Sequence, residues 1–190
     1  MSPLKIVALR GTVVLLLFFS VGVLMSFRFY AVGSAAMEDT LLPGDRILVD
    51  KIGVVLGREP KFGDIVVMRY PLNPKEVWVK RIVAVPGDRL RIVNKQLYRN
   101  GAAVAEPYAK HASAYIDSYR DNFPSTPGMR LPAVAAEMLL DHVQAGEVVV
   151  PRGKYFVLGD NRDDSSDSRY WGFISNSDII GRSLMVWPGK

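Results

Sequence analysis

Short runs of β-branched and aliphatic residues recur between turn-forming residues along most of this chain, and that rhythm restricts its fold more than any other feature. Arg46–Asp50 follows a Pro-Gly-Asp turn, residues 64–70 follow Phe-Gly, and residues 77–85 and 89–93 come next, with Gly, Pro, Asn or Asp between them. Residues 95–101 read as a strand entering an Asn-Gly hairpin turn, where positive φ is tolerated. Residues 148–150, 155–158 and 182–187 resume the pattern near the C-terminus. Strands this close together leave no room for crossover helices. The pattern therefore predicts a mainly β fold of coiled, antiparallel, partly closed sheets, not a doubly wound one.

Residues 105–147 differ in character and read as a small α/β insertion into a body made of residues 30–104 and 148–190. Residues 108–122 are polar and aromatic, and residues 124–128 form a loop. Residues 131–144 suit one short helix, with Pro132 in its first turn, where a missing N–H is harmless, and Gly146 placed to end it.

Residues 11–27 carry no charge. As a helix they would cover roughly 25 Å at ~1.5 Å per residue, slightly short of a hydrocarbon core. Snorkelling of Arg10 and Arg28, with Tyr30 at the interface, closes that gap. A transmembrane anchor is expected over residues 11–29, with residues 1–10 on the cytoplasmic side and the body outside, because Lys5 and Arg10 precede the run. The competing reading is a cleaved signal peptide, since Ala31-Val32-Gly33 supplies small residues at a plausible cleavage position. With 190 residues the chain suffices for one domain and a small appendage. Its 49% hydrophobic content and net charge of +5 suit an anionic membrane surface. No basic run is interleaved with aromatics, so a nucleic-acid partner is not expected. The absence of cysteine excludes a disulfide scaffold and a Cys-ligated metal.

Lys80 sits in Trp78-Val79-Lys80-Arg81-Ile82-Val83, a run that alternates poorly. Either the run is buried on both sides, which would disfavour the ammonium and leave a competent general base, or Lys80 lies on the exposed face of an edge strand. Two other stretches flank it in the chain: Gly33-Ser34-Ala35-Ala36-Met37-Glu38-Asp39-Thr40-Leu41-Leu42-Pro43-Gly44-Asp45, and Gly159-Asp160-Asn161-Arg162-Asp163-Asp164-Ser165-Ser166-Asp167-Ser168-Arg169-Tyr170-Trp171-Gly172. In order, internal spacing and glycine-aspartate turns, the three together resemble the signal peptidase I family, membrane-anchored Ser/Lys-dyad proteases. The likeness runs from about Phe27 to the C-terminus.

That resemblance implies a set of roles. Lys80 would be the general base and Ser165 the residue that orients it, with Ser34 supporting the oxyanion hole. Arg81, Asp160, Arg162, Asp167 and Arg169 would hold the site's strands together, with Asp160 on Arg81 and Asp167 on Arg169. Val32, Trp78 and Val79 would wall the substrate pocket. Substrates would be exported preproteins with small residues at the first and third positions before the cut, processed at the outer face of the cytoplasmic membrane, with membrane lipid as a partner and no cofactor or metal.

Three departures stand out. The family's nucleophilic serine falls on Ala36, Asp39 stands where proline is usual, and Gly33 where proline is common. Ser34 is a poor substitute nucleophile, because in an extended segment its Cα would lie ~6–7 Å from that of residue 36, whereas attack needs reacting atoms about 3–3.5 Å apart. The chain is therefore expected to be inactive, either through a deliberate truncation that stops self-cleavage or as a natural signal-peptide-binding pseudoprotease. A third reading is a metal-dependent hydrolase using the carboxylates of residues 160–169, although that stretch lacks the sixth-position glycine and terminal glutamate of an EF-hand loop. His111 and His142 lie away from all three motifs, which leaves a Ser-His-Asp triad without a base. Trp171 and Trp187 are expected as core or membrane-interface aromatics.

Overall fold

The computed structural model describes residues 27–126 and 128–189. In chain order its strands are β1 (Phe27–Ala31), β2 (Arg46–Asp50), β3 (Ile65–Tyr70), β4 (Asn73–Ala84), β5 (Arg89–Val93) and β6 (Gln96–Arg99). There follow β7 (Ala102–Ala103), β8 (Val143–Gln144), β9 (Glu147–Val149), β10 (Lys154–Leu158), β11 (Ile174–Ser175) and β12 (Ile179–Trp187). They build two sheets, one in the order β1-β2-β12-β3-β4-β10-β11 and a smaller one in the order β7-β6-β5-β9-β8. Every strand pairing in both is antiparallel, as the close spacing of the runs requires. Three short α-helices, α1 (Ile52–Val55), α2 (Ala133–Asp141) and α3 (Ser168–Trp171), and two 3-10 turns, Ala35–Met37 and Asn176–Asp178, complete the described chain.

The small sheet turns on two-residue hairpins with both residues at positive φ, the type that matches strand twist. Asn100 and Gly101 (φ 52° and 82°) join β6 to β7, as their sequence predicts. Asn94 and Lys95 (φ 47° and 73°) join β5 to β6, so Lys95 belongs to a turn and not to the strand expected there. Ala145 and Gly146 (φ 52° and 75°) join β8 to β9. Gly146 thus closes a hairpin rather than ending the helix, because α2 stops at His142 and the chain re-enters the sheet.

The insertion shares its core with the body. Tyr119, Phe123 and Met138 pack in one buried cluster with Leu90, Leu97, Val148 and Phe156. A second cluster gathers Val66, Met68, Ile82, Val157 and Trp171, and a third gathers Val32, Met37, Leu41, Ile47, Val49 and Val67 around the first motif. Trp171 is a core residue, whereas Trp187 is 64% exposed. Residues 27–29, which the expected membrane span includes, belong to β1, where Phe27 to Ala31 pair with Asp50 to Arg46. The remainder of that span lies outside the described residues. Among the described residues no helix is long and apolar enough to cross a membrane.

Candidate active site

The first motif folds as a 3-10 turn over Ala35–Met37, closed by Glu38 N donating to Ala35 O at 2.9 Å and Leu41 N to Met37 O at 2.7 Å. The extended geometry expected here gives way because Met37 and Leu41 are drawn into the third core cluster. A 3-10 turn rotates successive side chains by about 120°, so Ser34 and Ala36 no longer share a face. Ser34 is exposed, while Ala36 is buried to 8% exposure. Asp39 has φ 76°, a conformation closed to proline.

Lys80 lies where β4 passes from an exposed to a wholly buried strand, and only 3% of it is exposed. Burial on both sides is therefore what the structure shows. Lys80 Nζ donates to Ser165 Oγ at 3.0 Å and sits 5.5 Å from the Trp78 ring centre. Burial, reinforced by the Arg169 charge, pulls its pKa down to about 8, against the opposing pull of Asp167, Asp160 and Asp164. Trp78 is itself clamped, stacked on Tyr70 at 3.9 Å and edge-on to Trp171.

Behind the lysine, both expected ion pairs form. Arg81 donates to Asp160 through Nε at 2.8 Å and Nη2 at 2.6 Å. Arg169 donates to Asp167 through Nε at 2.8 Å and Nη2 at 2.7 Å, and the Asp167 carboxylate also caps α3. Arg162 finds its partner in the insertion, where Glu106 accepts two bonds at 2.9 and 2.6 Å, and its Nε donates to Gly159 O at 3.0 Å. The acidic stretch is thus occupied by cations: Asp163, too, is held by Lys95 and Arg120.

Several residues of the site were not singled out in the sequence. Gly159 is one, since a Cβ there would collide with Ser165 Oγ and Ala36 O. Asn161 is another, donating from N to Ala36 O at 3.1 Å and from Nδ2 to Ala35 O at 3.2 Å. In the insertion, Tyr108 lies with its ring centre 3.8 Å from the Arg81 guanidinium, and Lys110 reaches Glu38 at 3.1 Å and Asp39 at 3.3 Å. His111, placed away from the motifs on sequence grounds, lies 3.4 Å from Asp163. Only the glycine carried a sequence signal, the tight Gly-Asp turn; the others depend on contacts between segments far apart in the chain.

A groove of about 460 Å³ runs between residues 31–37 and residues 77–80, with Asp164 and Ser166 at its side. Ser34, Ala36, Lys80, Val32, Trp78 and Val79 all line it, while Arg81, Asp160, Arg162, Asp167 and Arg169 are buried behind. β10 pairs with β4 only from Arg81 onward, leaving residues 77–80 as an open strand edge along the groove. Such an arrangement can align an extended peptide and offer an uncharged amine to a hydroxyl beside it.

Residues 5–188 match the profile of the family described as signal peptidase, peptidase S26. The chain belongs to this family. Signal peptidase I of Aquifex aeolicus is 34% identical over 191 residues, covering 83% of this chain and 74% of that one. Signal peptidase I of Pseudomonas aeruginosa is 33% identical, covering 89% and 68%, and signal peptidase IB of Staphylococcus aureus is 34% identical, covering 84% and 77%. A solved signal peptidase I from Enterococcus faecalis, 28% identical, aligns over 67% of this chain and 97% of its own with a TM-score of 0.47. The enzyme class of the family is serine endopeptidase, and a signal peptidase acts on signal peptides of exported preproteins.

Proposed function

We propose that this chain is a signal peptidase I scaffold that holds signal peptides in the groove but has a methyl group where the nucleophile should be. The observation that carries this reading is the 3.0 Å bond from Lys80 Nζ to Ser165 Oγ at the wall of a groove that Ala36 also lines. A serine at position 36 would give its proton to the uncharged Lys80 amine and attack the scissile carbonyl carbon. Ser34 Oγ and the backbone N–H of residue 36 would donate to the resulting oxyanion. Lys80 would pass the proton to the leaving amine, then take one from water to release the acyl group. Ala36 has no oxygen to attack with, so binding survives and cleavage does not.

The groove walls of Val32, Trp78 and Val79 favour small side chains, and the open edge of β4 suits an extended substrate adding as a strand. In this reading the uncharged residues 11–26 attach the body to the outer face of the cytoplasmic membrane, near the point where a translocating preprotein emerges.

Preprotein cleavage in detergent, before and after Ala36→Ser, tests it. The chain as it stands should not cleave, Ala36→Ser should, and Lys80→Ala in that background should abolish the gain. Equal cleavage with and without the serine would remove position 36 as the nucleophile, and activity insensitive to Lys80→Ala would remove the dyad. Preprotein binding with no gain from Ala36→Ser identifies a non-catalytic binding protein. Chelator-sensitive cleavage by the unaltered chain identifies a metal-dependent hydrolase.

A further inference from the structure

Asp164 behaves differently from the other carboxylates of its loop. Asp160 is bound by Arg81, Asp167 by Arg169, and Asp163 by Lys95 at 3.0 Å and Arg120 at 3.3 Å. Asp164 is exposed, pairs with no cation among the described residues, and is the one acidic side chain that lines the groove.

Its position is nevertheless fixed from both sides. Asp163 is tied to the insertion and the β5–β6 turn, Ser165 is tied to Lys80 Nζ at 3.0 Å, and Asp164 N donates to Asn161 O at 3.1 Å. A carboxylate carried on backbone that is already held loses little freedom when a ligand engages it. The remaining lining residues are apolar or neutral, except for Lys80, whose charge is disfavoured by burial. Above about pH 8, where Lys80 is largely uncharged, the groove therefore offers an extended chain apolar walls and one negative charge at the side.

We propose that Asp164 is a specificity-determining residue, and that the groove prefers peptides presenting a lysine or arginine side chain to it alongside their small residues. This rests on the peptide-binding reading above.

The test uses the unaltered full chain in detergent and fluorescent peptides with alanine at the two small positions. A single lysine, or glutamine in its place, is moved through the neighbouring positions. At low salt and above about pH 8, where Lys80 is largely uncharged, one position should show lysine binding about three- to tenfold tighter than glutamine. That preference should disappear in Asp164→Asn and shrink in about 0.5 M salt. Lysine and glutamine peptides binding alike at every position would overturn the proposal and leave the peptide-binding reading intact, as would a preference that persists in Asp164→Asn. An Asp164→Asn change that shifts all peptides equally would assign the carboxylate to tuning Lys80, again overturning it. Absence of binding by every peptide would remove both.

Discussion

Lys80 is a residue whose burial has consequences in two experiments. Its folded pKa of about 8 lies below its ordinary value of 10.5, so between these values the unfolded chain holds a proton that the folded chain has released. Stability therefore rises with pH across that window. The buried lysine is a liability below pH 8 and loses that liability by about pH 10.5, a change on the order of 3 kcal/mol. Urea denaturation of the chain against Lys80→Met should show the difference between them moving in favour of the parent as pH rises through this range. The Ala36→Ser chain should in turn gain cleavage rate as pH rises through about 8, since the base works uncharged. Gly159 makes a complementary case at the level of shape. A Cβ at this position would overlap the Ser165 side chain and the carbonyl oxygen of Ala36. Gly159→Ala should destabilise the fold by about 1–3 kcal/mol and, in the Ala36→Ser background, remove most cleavage, checked by thermal melts and the same assay.

The loop and helix formed by the third motif depend on paired charges in a place from which water is excluded. Asp167 and Arg169 are 0% and 1% exposed, so neither charge has solvent to fall back on. Arg169→Met leaves the Asp167 carboxylate buried and unpaired and should cost about 3–5 kcal/mol by chemical denaturation. Replacing both by apolar residues of similar volume should cost far less, because the unpaired charge, and not the lost pair, dominates the penalty. The double replacement alone would remove the cap of helix α3, because the Asp167 carboxylate accepts from the backbone N–H of residue 169, a further loss of about 1 kcal/mol. Half of this element was legible in the sequence: the pairing of Asp167 with Arg169 was expected from the family resemblance of the third motif. The 3-10 turn over Ala35–Met37 was not, because nothing in its residues favours a turn over an extended segment until Met37 finds the core.

At the scale of the whole molecule, the insertion is a strap across all three motifs. Residues 106–110 put Glu106 on Arg162, the Tyr108 ring on Arg81 and the Lys110 ammonium on Glu38 and Asp39. Main-chain bonds from Lys110 N to Asp160 O at 2.7 Å and from Arg162 N to Lys110 O at 2.9 Å add a β-bridge. Replacing residues 105–147 by a short loop should therefore abolish cooperative unfolding, since it strips Tyr119, Phe123 and Met138 from the core and leaves the buried Arg162 without its carboxylate. Acid should act on the same network. Asp88, Asp121, Asp163 and Asp167 all titrate below the usual carboxylate value, held there by Arg99, Arg120, Lys95 and Arg169 in turn. Each contributes stability that is fully present above about pH 4 and is lost as pH falls through its folded pKa. Circular dichroism should accordingly show a stable plateau near neutrality and unfolding below about pH 4.

What the amino-acid sequence determined by itself was local: the rhythm of strands, the Asn-Gly hairpin, and three motifs whose likeness to a family carried the expected ion pairs. The first two follow from rules acting over a few residues, namely side-chain alternation and backbone freedom at turns. Tertiary structure alone decided that Arg162 would meet Glu106, that Tyr108 would cover Arg81, and that Asp164 would face the groove while Asp163 turned away. Each is a choice among several chemically adequate partners, made by where packed sheets bring distant segments together. No property of the residues themselves distinguishes the partner chosen from those refused.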